Sequence, residues 1–378
     1  MSVLELARAL VATPSHDDET EAGDVLERWL RRETDATVIR DDAGNVLARR
    51  GPPRGGGRRA GRTSDGSLAL VGHHDVVSPD ESQVTAGGEY VVEQRDGRLY
   101  GRGSADMKGA LAAAAVAFRD ASIDDWADGE LWFASFVGEE VGGVGARHAI
   151  EHGFVPDHAI VGEGSTNYSA TGITDVVVAH RGRRGSTFTA SGTAAHASEP
   201  EVGENAIYRA ADAVDVLRGL EGPSVDVAGH TVRGSVVVTE IEGGSGSNVI
   251  PATCTVTVDE RTVPGKRADL ERVANLSGIE WTVEQDLPPM ACTDERLVTA
   301  VLETAREVQA DAAAEPRSVT KPHATDAGWL SEAGTECVVC GPSEPGEAHT
   351  STESVSTSVL ERCRRIYRTA AERWFVAE

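Results

Sequence analysis

Lysine is almost missing from this chain: its 378 residues include three, Lys108, Lys266 and Lys321. With 36 basic against 61 acidic side chains, the formal net charge is −25. A surface of that sign repels nucleic acid and anionic lipid, so neither is expected as a partner. Molar salt would screen the self-repulsion of such a surface, and the acidic, lysine-poor composition therefore points to a halophilic cytoplasm. No run of 18 apolar residues occurs, which gives no candidate membrane span. The opening MSVLELARAL has no basic leader followed by an apolar stretch and a small-residue cleavage site, so a soluble, cytoplasmic protein is expected. Cysteine is scarce too: five, an odd number without regular spacing, make no disulfide framework. The single CxxC, Cys337 and Cys340 in TECVVCGP, lies in an apolar strand-like run without a second such pair, and reads as two small core residues.

The length suffices for two domains, each with its own core. Val3 to Leu10 and Glu21 to Arg31 carry apolar residues at helical spacing. Gly51 to Gly66 is rich in glycine and arginine and is expected to be a mobile surface loop. Apolar runs of strand length follow at Leu68–Val71, Leu131–Val137 and Ala159–Val161, with an alanine-rich helix predicted from about Lys108 to Phe118. Strands alternating with helices predict an α/β fold with a mainly parallel, helix-covered sheet. From about Val176 to Asp286 the alternating segments around one helix (Asn205–Leu217) predict a separate α+β module with an antiparallel sheet. A helix at Glu295–Val308 and a strand at Cys337–Val339 are expected to return to the first sheet.

In parallel sheets, functional groups gather beyond the carboxyl ends of the strands. The first core strand runs into His73-His74-Asp75, the second into Glu139-Glu140, the third into Glu163, and the carboxy-terminal one leads to His349. Asp106 stands at the entrance of the alanine-rich helix. Imidazoles and carboxylates in this number suit a pair of zinc-like ions, since one carboxylate can bridge two metals and the remainder leaves a base.

The motifs GHHDVV, GRGSADMKG, GEEVGG, GEGS, GTAAHAS, GGSGSNVIP and EAHTSTE follow one another in an order and spacing that resembles the di-zinc amidohydrolases of the M20 metallopeptidase family, most closely its acetylornithine deacetylase and succinyl-diaminopimelate desuccinylase branch. The resemblance implies a zinc-hydrolase catalytic domain (1–177 and 287–378) interrupted by a ferredoxin-like dimerisation domain (178–286). It implies two zinc ions per subunit, with cobalt or manganese as substitutes. His73 and Glu163 would hold one ion, Glu140 and His349 the other, and Asp106 would bridge. Asp75 would orient His73, Glu139 would be the general base, and His74 a bystander. His196 would donate to the developing oxyanion in the active site of a partner subunit, which makes a homodimer the expected unit. Asn248, Thr325 and the arginines Arg183, Arg184 and Arg261 match substrate-facing positions, arginine being suited to carboxylates by its fork of donors. Asp326 matches beside Thr325, whereas His323, Ala327 and Gly164 depart from the family pattern.

The implied activity is hydrolysis of a small N-acyl amino acid, N-acetylornithine or N-succinyl-diaminopimelate being first candidates. A dipeptidase or carboxypeptidase would share the metal residues and differ in its pocket. A silent binding relative would lack the base or a ligand, and all of these are present.

Overall fold

Every residue of the strand Ser67–His73 is buried, the pattern of a strand covered on both faces. In the computed structural model, which describes residues 1–51, 66–122 and 129–376, this strand lies in the middle of a nine-stranded mixed sheet. Its neighbours Glu130–Phe136 and His158–Val161 run parallel to it, and Glu336–Val339 continues the parallel set beside His158–Val161. Antiparallel strands flank this centre: Val46–Arg50 and Thr37–Arg40 on one side, Val176–His180 on the other. The expected mobile loop, Gly51 to Gly66, falls almost wholly outside the described residues.

The alanine-rich helix, Gly109–Asp120, is buried from Gly109 through Phe118. Its small side chains let it pack against both Val3–Ala12 and Thr357–Val376, so it is surrounded where an ordinary helix would show one face to water. Local signals set the helix starts. Ser2 and Glu5 form a reciprocal capping box, and Asp294 Oδ1 accepts from the N–H groups of Arg296 and Leu297. The CxxC cysteines are fully buried free thiols, Cys337 within the strand Glu336–Val339 and Cys340 just beyond it.

The chain divides into two compact units. One comprises Met1–Ala179, Ala291–Lys321 and Thr325–Glu378; the other comprises His180–Met290 with Pro322–Ala324, where the sequence suggested 178–286. In the first unit, the N–H of Cys292 donates to the carbonyl of Val178 at 2.8 Å, so the chain leaves and re-enters that sheet at one place.

The second unit has the order strand, helix, strand, strand, helix, strand, with short excursions between them. Its sheet runs Ser235–Gly243, Thr253–Arg261, Arg183–Ser191, Ile279–Leu287, antiparallel throughout, which is the ferredoxin-like arrangement. The helix Ala206–Arg218 packs its alanines Ala206, Ala210 and Ala213 with Phe188, Val256 and Val258 into a core of its own. The edge strand Ser235–Gly243 keeps Val237 and Ile241 exposed. Among the described residues no helix is long and apolar enough to cross a membrane.

Candidate metal centre

Strand register brings the ligand types together within the first unit. His73 ends the central strand opposite Phe136, and the next strand delivers Glu139 and Glu140 a few residues later. Val71 pairs with Val161 on the other side, and Glu163 follows two residues on. All three groups therefore emerge at one edge of three adjacent parallel strands. The loop after Phe136 turns back through glycines of positive φ, and at Gly143 (φ +71°) a Cβ would lie 2.3 Å from Trp329 Nε1. Gly341 is required for a different reason: a Cβ there would lie 2.0 Å from the carbonyl oxygen of Gly162 and 2.4 Å from that of Glu163.

Asp106 sits in a wide turn, Ser104–Lys108, just before the buried helix, with non-helical φ −127° and ψ 97°. That kink turns its carboxylate toward the strand ends. Oδ1 is 3.2 Å from His73 Nε2, and Oδ2 is 3.3 Å from His349 Nε2. His73 Nε2 is also 3.4 Å from Glu163 Oε1, and His349 Nε2 is 2.9 Å from Glu140 Oε1. On its other side the His73 ring places Nδ1 3.2 Å from Asp75 Oδ1, while Asp75 Oδ2 accepts the backbone N–H of Glu140 at 3.0 Å.

Two sets of donor atoms thus lie within 4.8 Å of one another, His73–Asp106–Glu163 and Asp106–Glu140–His349, with Asp106 in both. A third set, His73–Glu139–Glu140, overlaps them. Each of the first two joins one imidazole to two carboxylates, a donor set that suits zinc, cobalt or manganese. The carboxylates of Asp75, Asp106, Glu139, Glu140, Glu163 and Asp326 crowd together here, with the ammonium of Lys321 against Glu163 and that of the buried Lys108 acting on Asp75, so carboxylates outnumber these ammonium groups. A pair of divalent cations fits both the donors and the charge.

The titration behaviour follows from that crowding. Burial and the neighbouring carboxylates Asp326, Glu163 and Glu140 push Glu139 well above the usual carboxylate range, against the pull of His73. Asp326 rises to about 8, first through burial and then through Asp75, Glu163 and Glu140. Both of its oxygens are buried without a hydrogen-bond partner. Burial would depress the His73 imidazole, but Asp75, Asp106 and Glu163 hold it well above its ordinary value. Hydrogen bonds to Asp106 and Glu140 lift His349 to about 10. Burial alone would raise Glu163, yet the ammonium of Lys321 keeps it low.

His74 points away from this cluster: fully buried, it places Nδ1 2.7 Å from Ser135 Oγ, and burial lowers its pKa to about 3. In the second unit, the short pairing of Ala195–His196 with Val249–Ile250 brings His196 and Asn248 together, Nε2 lying 3.4 Å from Asn248 Nδ2. His196 is exposed, and its Nδ1 is 2.6 Å from Ser198 Oγ. The three arginines are bound to carboxylates of their own unit. Arg183 and Arg261 donate to the two oxygens of Asp259 at 2.7 Å each, and the buried Arg184 donates to Glu260 at 2.6 Å. Thr325 caps the helix Asp326–Glu332 by accepting the Ala327 N–H at 3.2 Å.

Two participants were not among the residues singled out from sequence. Lys321 Nζ donates to Glu163 Oε2 at 3.0 Å with both groups buried. Its signal was scarcity: an isolated lysine ahead of the Thr325–Asp326 loop in a chain that has three. Glu353, four residues past His349, holds the backbone beneath Asp106.

The sequence profile of peptidase family M20/M25/M40 matches residues 69–373. An acetylornithine deacetylase of Myxococcus xanthus is 32% identical over 350 residues, 86% of this chain and 84% of that one. A succinyl-diaminopimelate desuccinylase of Bordetella avium is 27% identical over 100% of this chain and 99% of its own. Among solved structures, the M20 metallo-carboxypeptidase Sso-CP2 of Sulfolobus solfataricus aligns over 100% of both chains with a TM-score of 0.77 at 15% identity.

Proposed function

The chain belongs to peptidase family M20/M25/M40, and on that premise we propose that it hydrolyses the amide bond of a small N-acyl amino acid of the N-acetylornithine or N-succinyl-diaminopimelate type. The observation that carries the reading is the placement of Asp106, whose two oxygens face the two imidazole–carboxylate sets. His73, Glu163 and Asp106 would hold one metal ion, and Glu140, His349 and Asp106 the other, with zinc the first candidate and cobalt or manganese as substitutes. Bound there, two such ions would lower the pKa of a water and polarise an amide carbonyl.

Glu139 is the base. Its carboxylate lies within the cluster beside His73 and Glu140, placed to take a proton from water and return it to the departing nitrogen. Asp75 holds His73 in the tautomer that leaves Nε2 free to ligate. His196, set beside Asn248 in the second unit, would supply the hydrogen bond to the carbonyl oxygen in the active site of a partner subunit as negative charge develops on it. Thr325, Asn248, Arg183, Arg184 and Arg261 are the proposed substrate-facing residues. The carboxylate partners of the arginines mean that a substrate carboxylate would share or displace Asp259 or Glu260.

A homodimer is proposed as the working unit. The open edge strand Ser235–Gly243, with Val237 and Ile241 exposed, supports an interface there. The acidic surface supports a salt-rich cytoplasm as the setting.

Peptide hydrolysis is the second reading, favoured by the likeness to a metallo-carboxypeptidase over the whole chain. Turnover of N-acetylornithine, N-succinyl-diaminopimelate and a dipeptide panel, in molar potassium chloride with zinc or cobalt, separates the two. Preference for an acyl amino acid supports the proposal. Preference for dipeptides moves the protein to peptide turnover with the same metal residues.

A further inference from the structure

A carboxylate from the far end of the chain caps the backbone that carries Asp106. Glu353, 1% exposed, accepts the N–H of Ala105 at 3.0 Å and that of Asp106 at 3.1 Å, both on Oε1. Oε2 takes Arg102 Nη1 at 2.5 Å, a second buried group, and the carbonyl of Glu353 accepts the N–H of Gly101 at 3.2 Å. Strand pairing fixes this register. Ser354, Val355 and Ser356 face Tyr100, Leu99 and Arg98, which leaves Glu353 alongside Gly101 and its side chain reaching along Arg102 to Asp106.

The N–H groups of Ala105 and Asp106 lie where a helix start leaves donors without partners. An ordinary helix takes its cap from the preceding residue, but here Gly103 precedes the turn and has no side chain to offer. Glu353 supplies the acceptor from 247 residues away. Four residues earlier in the same segment stands His349, in a left-handed conformation with φ +64° and Nε2 3.3 Å from Asp106 Oδ2. One short segment therefore touches Asp106 twice, at its carboxylate through His349 and at its backbone through Glu353.

We propose that Glu353 is a positioning residue of the metal centre: by capping Ala105 and Asp106 it sets the rotation of the Asp106 carboxylate, so that one oxygen faces His73 and the other His349. The proposal rests on the reading of this cluster as a two-metal site. It assigns the effect to the two backbone hydrogen bonds and not to the charge opposite Arg102, and this makes it separable from a fold-stabilising role.

The test titrates Co2+ into the full-length chain after metal removal, followed by calorimetry and by the visible d–d spectrum of the cobalt-loaded protein. Glu353→Asp keeps the charge near Arg102 but is one methylene short of the two amides. It is expected to weaken cobalt binding by about 10–100-fold and to shift the spectrum. Glu353→Gln keeps an acceptor for both amides and is expected to match wild type in affinity and spectrum while melting lower. Wild-type cobalt binding and spectrum in Glu353→Asp would overturn the proposal, whatever its melting temperature. Equal losses in both variants would also overturn it, because Glu353→Gln keeps the acceptor for the two amides and its loss could not then come from them. A wild-type chain that takes up no cobalt would overturn the metal reading itself, and would do so before any variant is compared.

Discussion

The carboxylate of Asp75 joins His73 to Glu140: one oxygen lies 3.2 Å from the imidazole Nδ1, and the other accepts the Glu140 backbone N–H at 3.0 Å. The Asp75 side chain therefore faces both the His73 ring and the loop carrying Glu139 and Glu140, while the Asp75 backbone carbonyl, 3.1 Å from Nδ1, also holds the ring. Asp75→Asn can accept that backbone N–H or face the imidazole with its oxygen, but it cannot do both. A loss of about 10–100-fold in metal affinity is expected, with a fall in kcat larger than the change in KM. Metal content after dialysis and steady-state kinetics check it, and unchanged metal content would reduce Asp75 to a loop anchor.

Glu139 lies within reach of His73 and Glu140, yet the two sets centred on Asp106 are complete without it. Glu139→Gln should therefore retain metal while turnover falls by about 10²–10⁴. Loss of metal together with activity would make Glu139 a ligand, and retained activity would remove it as the base.

His196→Ala should lower kcat by about 100-fold or more with metal content unchanged, the usual effect of deleting an oxyanion donor. Sedimentation of the same variant should show wild-type assembly. A change confined to KM would place His196 in substrate binding instead.

Far from the site, Glu336 accepts the backbone N–H and hydroxyl of Thr293 at 2.7 and 2.6 Å and the N–H of Asp294 at 3.1 Å. Burial would raise its pKa, but these hydrogen bonds hold it below the usual range. A carboxylate depressed in the folded state stabilises above its unfolded pKa, and the contribution is lost as pH falls through the folded value. Above about pH 5 wild type should melt higher than Glu336→Gln, and the two melting curves should draw together as pH drops below about 4. A gap of constant size across that range would assign the difference to shape instead of charge.

The convergence of His73, Glu139–Glu140 and Glu163 was legible because each follows a local signal, the end of an apolar run, and parallel pairing aligns those ends. Asp106 was legible as the last acidic residue before an alanine run, although the non-helical kink that aims it was not. Lys321 and Glu353 escaped because their meaning lies in partners 158 and 247 residues distant, and nothing in their own neighbourhood announces those partners. Arg184 illustrates the converse: its charge was plain from sequence, but its neutralisation by Glu260 requires the pairing of two strands. The antiparallel outer strands were likewise hidden, since Thr37–Arg40 and Val46–Arg50 are shorter and less fully buried than Ser67–His73 and Glu130–Phe136.

The bond from Cys292 to Val178 has a consequence for how such a chain is assembled. Because departure and return are adjacent, the excursion between them costs the host sheet no stretching, and its length is thermodynamically cheap: each doubling of such a loop adds only about 0.6 kcal/mol of closure entropy. The ferredoxin-like unit is in that sense a tethered passenger. A gene in which Val178 is joined to Cys292 through a brief turn should yield a host that still folds around the Asp106 cluster, and should make the two halves of the protein separately tractable.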